Sequence, residues 1–179
     1  AASFPFAYAR AAIKYRQAQE LQEQQSDVSE VDLRQIWRQA EVSIQAALQA
    51  EDAGRFDAAR YQAILLHAWS FYHLEQYDLS RQKFESAADF LPEAEASEAI
   101  WMAYVSEQRR CEADPAIPMD QRDRLVNLYL ERFPQGPRTG ELMVMRASLD
   151  EQPSMEKVRE LLSVPLDSSS RTGKERKKT

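Results

Sequence analysis

Apolar residues recur along most of the chain at three- and four-residue intervals, the spacing that gathers them on one face of an α-helix. In residues 6–25, Tyr8, Ala11, Ala12, Tyr15 and Ala18 make a weakly apolar stripe that runs into the Gln-rich QAQELQEQQ. The segment SDVSEVD pairs Asp27 with Glu30, or Ser29 with Asp32, at capping-box spacing, and so predicts the start of a second helix. There Leu33, Ile36, Trp37, Ala40, Ile44, Ala47 and Leu48 share one face, with Arg34, Arg38, Glu41, Gln45 and Gln49 opposite, the pattern of an amphipathic surface helix.

AGRFD closes that helix: Gly54 is placed to take the left-handed conformation beyond a helix end, and Asp57 to cap the next. So short a loop makes the two helices antiparallel. From Asp57 to Leu74 the apolar residues fall on two faces. Tyr61, Ile64, Leu65, Ala68, Phe71 and Tyr72 form one and Leu66 with Trp69 the other, so this helix expects neighbours on two sides. EQYD is the next break, with Asp78 as the cap. The stripe Leu79, Ser80, Phe84, Ala87, Ala88, Leu91 then runs to Pro92, which is expected to stop the helix. Further helices read at about 95–112, 119–133, 140–150 and 154–163, separated by Pro115, Pro118, Pro134, Pro137 and Pro153. No alternating β-branched run predicts a strand.

Composition supports an all-α chain: Ala, Gln, Glu, Leu and Arg are abundant, and the 179 residues include only four glycines. Those glycines, Gly54, Gly136, Gly140 and Gly173, fit no phosphate-cradling motif. The single cysteine, Cys111, excludes an internal disulfide and a multi-thiolate metal site. There is no apolar run long enough to span a membrane. The opening AASFPF has neither Met nor a charged-then-apolar leader, as expected of a processed chain or an excised piece. Net charge is −6, but residues 167–179 hold five basic residues against two acidic ones, a local +3, so residues 1–166 carry −9. An acidic body argues against a nucleic-acid surface. The tail LDSSSRTGKERKKT is too polar to fold alone and reads as a disordered linker.

Helix hairpins with short loops direct attention to repeats with a period near 34 residues. Counting from Tyr61 as position 1, Ile64 stands at 4, Ala68 at 8, Phe71 at 11, Tyr77 at 17, Ser80 at 20, Phe84 at 24, Ala87 at 27 and Pro92 at 32. This succession of bulky, small, aromatic, aromatic, small, aromatic, small and proline resembles a tetratricopeptide repeat (TPR). Small residues let two helix backbones approach while large ones fill the angle between them. The sequence departs from the pattern at His67, where Leu is usual, at Ser80, and at Glu75 and Gln76, where Gly or Asn is common. AGRFDAA echoes the same turn, and LVNLYLERFPQGPRTGEL is similar to segments of divergent bacterial-envelope members. The resemblance implies an antiparallel helix-hairpin array, a TPR-like right-handed α-solenoid over residues 29–166. It is preceded by an N-terminal helix and Gln-rich connection at 1–28 and followed by the tail at 167–179.

In that family the first helix of each pair lines a concave groove, which implies a partner-binding face at Gln62, Leu65, Trp69, Tyr72 and His73. Trp69 and Tyr72 would be its anchors, since aromatic rings supply large contact area at low entropy cost. The competing reading has the N-terminal helices covering both rings as core. A clamp for acidic chaperone tails is not expected, because Leu65 and Trp69 stand where charged donors would be needed. His67 and His73 lie about 240° apart around the helix and cannot share a metal ion. Glu75, Asp78 and Asp89 read as caps and solvated faces, and Cys111, though it follows EQRR, lacks a partner base. The expectation is therefore a non-catalytic protein–protein interaction module of a larger bacterial protein, binding a helix or peptide, with no cofactor and no small-molecule substrate. A structural spacer or oligomerisation segment with a self-filled groove, and a helical protein that meets nucleic acid through its basic tail, stay open as alternatives.

Overall fold

Helix follows helix through the residues that the computed structural model describes, 2–23 and 29–149. They are α1 Phe4–Glu23, α2 Glu30–Leu48, α3 Asp57–His73, α4 Tyr77–Ala88, α5 Glu93–Ala113, α6 Asp120–Arg132 and α7 Thr139–Leu149, with one 3₁₀ turn at Ala53–Arg55 and no strand among the described residues. Most ends fall within two or three residues of those predicted. The helix expected at 154–163, the basic tail and Asp27 lie outside the described residues. Ala1–Gly136 forms one compact unit and Pro137–Thr179, with α7, a second.

In the first unit each helix packs on its neighbours in the chain: α1 on α2, α2 on α3, α3 on α4, α4 on α5 and α5 on α6. Alanine makes this possible. Ala11 and Ala18 of α1, Ala40 and Ala47 of α2, Ala63 and Ala68 of α3, and Ala87 and Ala88 of α4 are all fully buried, so backbones meet without large side chains between them. Larger residues fill the remaining space. Phe4 anchors the start of α1 among Ala47, Ala53 and Ala63, stacks on Tyr8 and Phe56, and donates its amide to Asp52 Oδ1 at 2.7 Å.

Buried polar groups join α4 to α5. Ser80 and Ser106 hydroxyls meet at 3.0 Å, and Ser106 also donates to the Met102 carbonyl at 2.8 Å, so a serine at the small position 20 of the repeat pattern is fully satisfied. Glu107 is wholly buried and receives both Nε and Nη2 of Arg110, at 3.0 and 2.6 Å, with Arg81 Nε 3.2 Å from the Oε2 that Arg110 Nε also meets. A buried carboxylate stripped of such partners is strongly destabilising. From α6, Arg132 reaches back to the Ala88 carbonyl at 2.7 Å and to Asp89 at 2.8 Å, supplying a cation to the C-terminal end of α4. Gly136 is needed for close approach, because a Cβ there would lie 2.7 Å from the Tyr129 hydroxyl.

Several local expectations are corrected. Ser29 does cap α2, its Oγ accepting from the Asp32 amide at 3.2 Å. Gly54, by contrast, sits in the 3₁₀ turn without positive φ, and the left-handed residue is Glu75, at φ 60°. The Glu75 amide donates to the Tyr72 carbonyl and the Gln76 amide to the Phe71 carbonyl, the paired bonds of a Schellman end to α3. Asp57 and Asp78 lie inside their helices and do not cap them; Asp78 is taken up by Arg81 and Gln82 at 2.8 and 2.7 Å. Leu79, expected in the buried stripe, is exposed. Helix α4 stops at Ala88, and Pro92 instead stands at the N-cap of α5.

Glu75 is a β-carbon-bearing residue in a conformation that glycine adopts freely, and its pair with Arg34 at 3.0 Å is exposed on both sides. Replacing Glu75 by Gly is expected to raise stability by about 0.5–1 kcal/mol, since relief of the left-handed strain outweighs an exposed ion pair. Urea denaturation checks this; a lowered midpoint contradicts it.

Candidate partner-binding groove

The groove is organised around a residue that does not line it. Trp37 of α2 is 1% exposed, and its indole Nε1–H donates to Gln22 Oε1 of α1 at 2.9 Å. Tyr15 of α1 meets it edge-on, with ring centroids 5.3 Å apart. His73 of α3 stacks on it at 4.0 Å and 14°. Ala18, Ala40 and Leu74 complete the cluster. The second half of α1 is thereby held beside the end of α3, and between these two helices lies an open groove of about 600 Å³, lined by Tyr15, Gln19, Gln22, Glu23, Trp69 and His73.

The five residues expected on the α3 face are distributed along this region. Trp69 and His73 line the groove. Trp69 is half-buried, edge-on to Phe84 at 5.3 Å and to Tyr72 at 5.8 Å. Tyr72, also half-buried, meets Tyr77 edge-on and lies near enough to Arg109 of α5 to help hold the guanidinium pKa up. Gln62, exposed one turn into α3, donates its amide to Glu95 Oε2 of α5 at 2.8 Å. Leu65 is half-buried between them in sequence. Helix α1 therefore meets the α3 face at Trp69 and His73, and Glu95 of α5 meets it about two turns earlier, at Gln62.

Burial leaves the groove floor uncharged. It pushes His73 down to about 4, so the ring is neutral at pH 7, and pushes Tyr15 up to about 12. Fixed charge enters the lining at Glu23; Glu95 and the Arg109–Glu112 pair at 3.1 Å stand elsewhere, on α5. The second histidine serves elsewhere. His67 is buried between α2 and α3, with Nε2 3.0 Å from Glu41 Oε1 and Nδ1 without a partner. Burial lowers its pKa despite the carboxylate, so the neutral ring donates from Nε2 and the contact is a hydrogen bond. Cys111 is buried as well; burial pushes its thiol up, and the nearby Glu107 carboxylate adds to that. The arrangement is that of an inert core thiol.

Sequence reasoning missed Gln19, Gln22 and Glu23 because the Gln-rich segment reads as a connection. Their spacing from Tyr15, at i+4, i+7 and i+8, was the available signal, since it puts all four on one side of a helix. It also put Glu41 on a polar, solvated face, where the structure instead buries it partly against His67.

Both histidines are held below their ordinary value of 6.5, so the unfolded chain binds protons that the folded chain does not. Their contribution to stability is complete above about pH 6.5 and is lost as pH falls, for His73 down to about 4. Lowering the pH from 7.5 to 5 is expected to cost about 1–2 kcal/mol through His73 alone, allowing for its partial exposure. His73→Phe, which keeps a ring on Trp37, should flatten the dependence. Urea titrations at the two pH values measure it, and equal midpoints for the parent chain contradict it.

No protein-family model matches the sequence, and comparison with curated proteins and with solved structures returned no match.

Proposed function

We propose that the chain is a non-catalytic protein–protein interaction module, a TPR-like right-handed helix array that receives a helix or peptide along the α3 face. The observation that carries this reading is the contrast between two indoles of one aromatic cluster. Trp37 is enclosed and hydrogen-bonded, whereas Trp69 is left half-buried on the wall of an open groove. Half-exposed aromatic side chains on a rigid helix supply contact area at little entropy cost, as binding hot spots do. Burial of Ala68, Ser80, Phe84 and Ala87 at the small and aromatic positions of the repeat pattern supports the TPR-like reading.

The alternative of a structural spacer draws on α1, which already supplies one wall and covers the Trp37 ring. An affinity pull-down separates the two, using the parent chain beside Trp69→Ala and Tyr72→Ala variants whose circular dichroism and urea midpoints show that they are folded. The groove reading predicts that each variant loses most of the recovered partner, in line with a hot-spot truncation of about 2 kcal/mol or more. Unchanged recovery sinks it.

A further inference from the structure

The chemistry of the groove selects among peptides, and the inference here rests on the groove reading above. Of the six lining side chains two are aromatic, Tyr15 and Trp69, two are neutral amides, Gln19 and Gln22, and one is the carboxylate Glu23. The sixth, His73, has its ring flat on Trp37 and is neutral at pH 7. None is cationic. Glu23 forms no ion pair among the described residues, and about two turns earlier along α3 Glu95 is engaged only by the neutral Gln62 amide. Arg109, on α5, is matched by Glu112 at 3.1 Å. The region thus offers ring surface beside uncompensated negative charge. A peptide carboxylate entering it would meet like charges, whereas a cation would gain from both features.

We propose that the groove between α1 and α3 takes an arginine or lysine side chain from a partner peptide, the cation lying against the Trp69 ring and facing Glu23. The apolar stem of such a side chain suits the aromatic walls, and its charged end suits the carboxylate at the groove margin. The acidic body of the chain, −9 over residues 1–166, favours approach of a basic segment over an acidic one.

The test is heteronuclear NMR on the full chain, in which the indole N–H signals of Trp37, Trp69 and Trp101 are assigned with Trp37→Phe, Trp69→Phe and Trp101→Phe variants. N-acetylarginine amide is the probe, and N-acetylcitrulline amide is its neutral counterpart of the same shape. The arginine probe is expected to shift the Trp69 signal, leave the Trp37 signal in place and bind about tenfold more tightly than the citrulline probe. Glu23→Gln should weaken the arginine probe about threefold or more, with the Trp37 signal again reporting an intact fold. Equal shifts from the two probes, or none at Trp69, overturn the proposal.

A variant with Arg171, Lys174, Arg176, Lys177 and Lys178 all replaced by serine tests the chain's own tail as occupant. If that variant moves the Trp69 signal without any probe, the tail occupies the groove and the partner-peptide proposal is overturned. If the arginine probe fails while Trp69→Ala still loses the pulled-down partner, the groove binds another chemistry and only the basic-peptide inference falls. If the pull-down is also unchanged, the groove reading falls with it.

Discussion

The enclosure of Trp37 is the interaction on which the groove depends. One indole, projecting from α2, is hydrogen-bonded by Gln22 and touched by Tyr15 from α1 while His73 of α3 stacks on its face. Full burial of a side chain this large contributes about 3 kcal/mol from area alone, but its position matters more than its magnitude. It is the contact through which the second half of α1, otherwise rich in glutamine and glutamate, is fixed beside α3. Without that fixed wall Trp69 and His73 would be an open helix face. With it they form one side of a shaped cleft.

The rest of the unit follows a single economy of space. Buried alanines bring the helices close, and close helices leave little room for polar groups, so those that are buried come with partners. Ser80 meets Ser106, Glu107 is held by Arg110 with Arg81 alongside, and His67 meets Glu41. Among the described residues two buried atoms lack a hydrogen-bond partner, His67 Nδ1 and Arg81 Nε, the latter only in ion-pair contact with Glu107. Protonation of His67 Nδ1 would put a donor where no acceptor waits, so acid is expected to weaken the α2–α3 contact.

Much of the architecture was legible from spacing alone. The three- and four-residue stripes located seven helices closely, and Ser29 with Asp32 announced the start of α2, because such signals depend on residues near one another in the chain. The turns after α2 and after α3 were not legible in full. Gly54 looked the natural left-handed residue, yet that conformation falls to Glu75, where packing of α3 against α4 dictates the bend and a charged residue bears its strain. The α1 wall was harder still. Gln19 and Gln22 carry no hydrophobic signal, and their meaning comes from Trp37, more than a dozen residues away in a different helix. Glu41 was hidden for the same reason: a carboxylate on a polar helix face reads as solvated until the histidine opposite it in space is known.

Hydrogen exchange in a Trp37→Leu variant tests the central role of this indole most directly. Phe4, packed at the start of α1 and bonded to Asp52, does not depend on Trp37. The account therefore predicts that amides of α1 from about Tyr15 to Gln22 lose protection by about tenfold or more, while those near Phe4 and in α4 and α5 keep theirs. Unchanged protection across the second half of α1 would show that the wall is held by something other than Trp37, and would contradict the account.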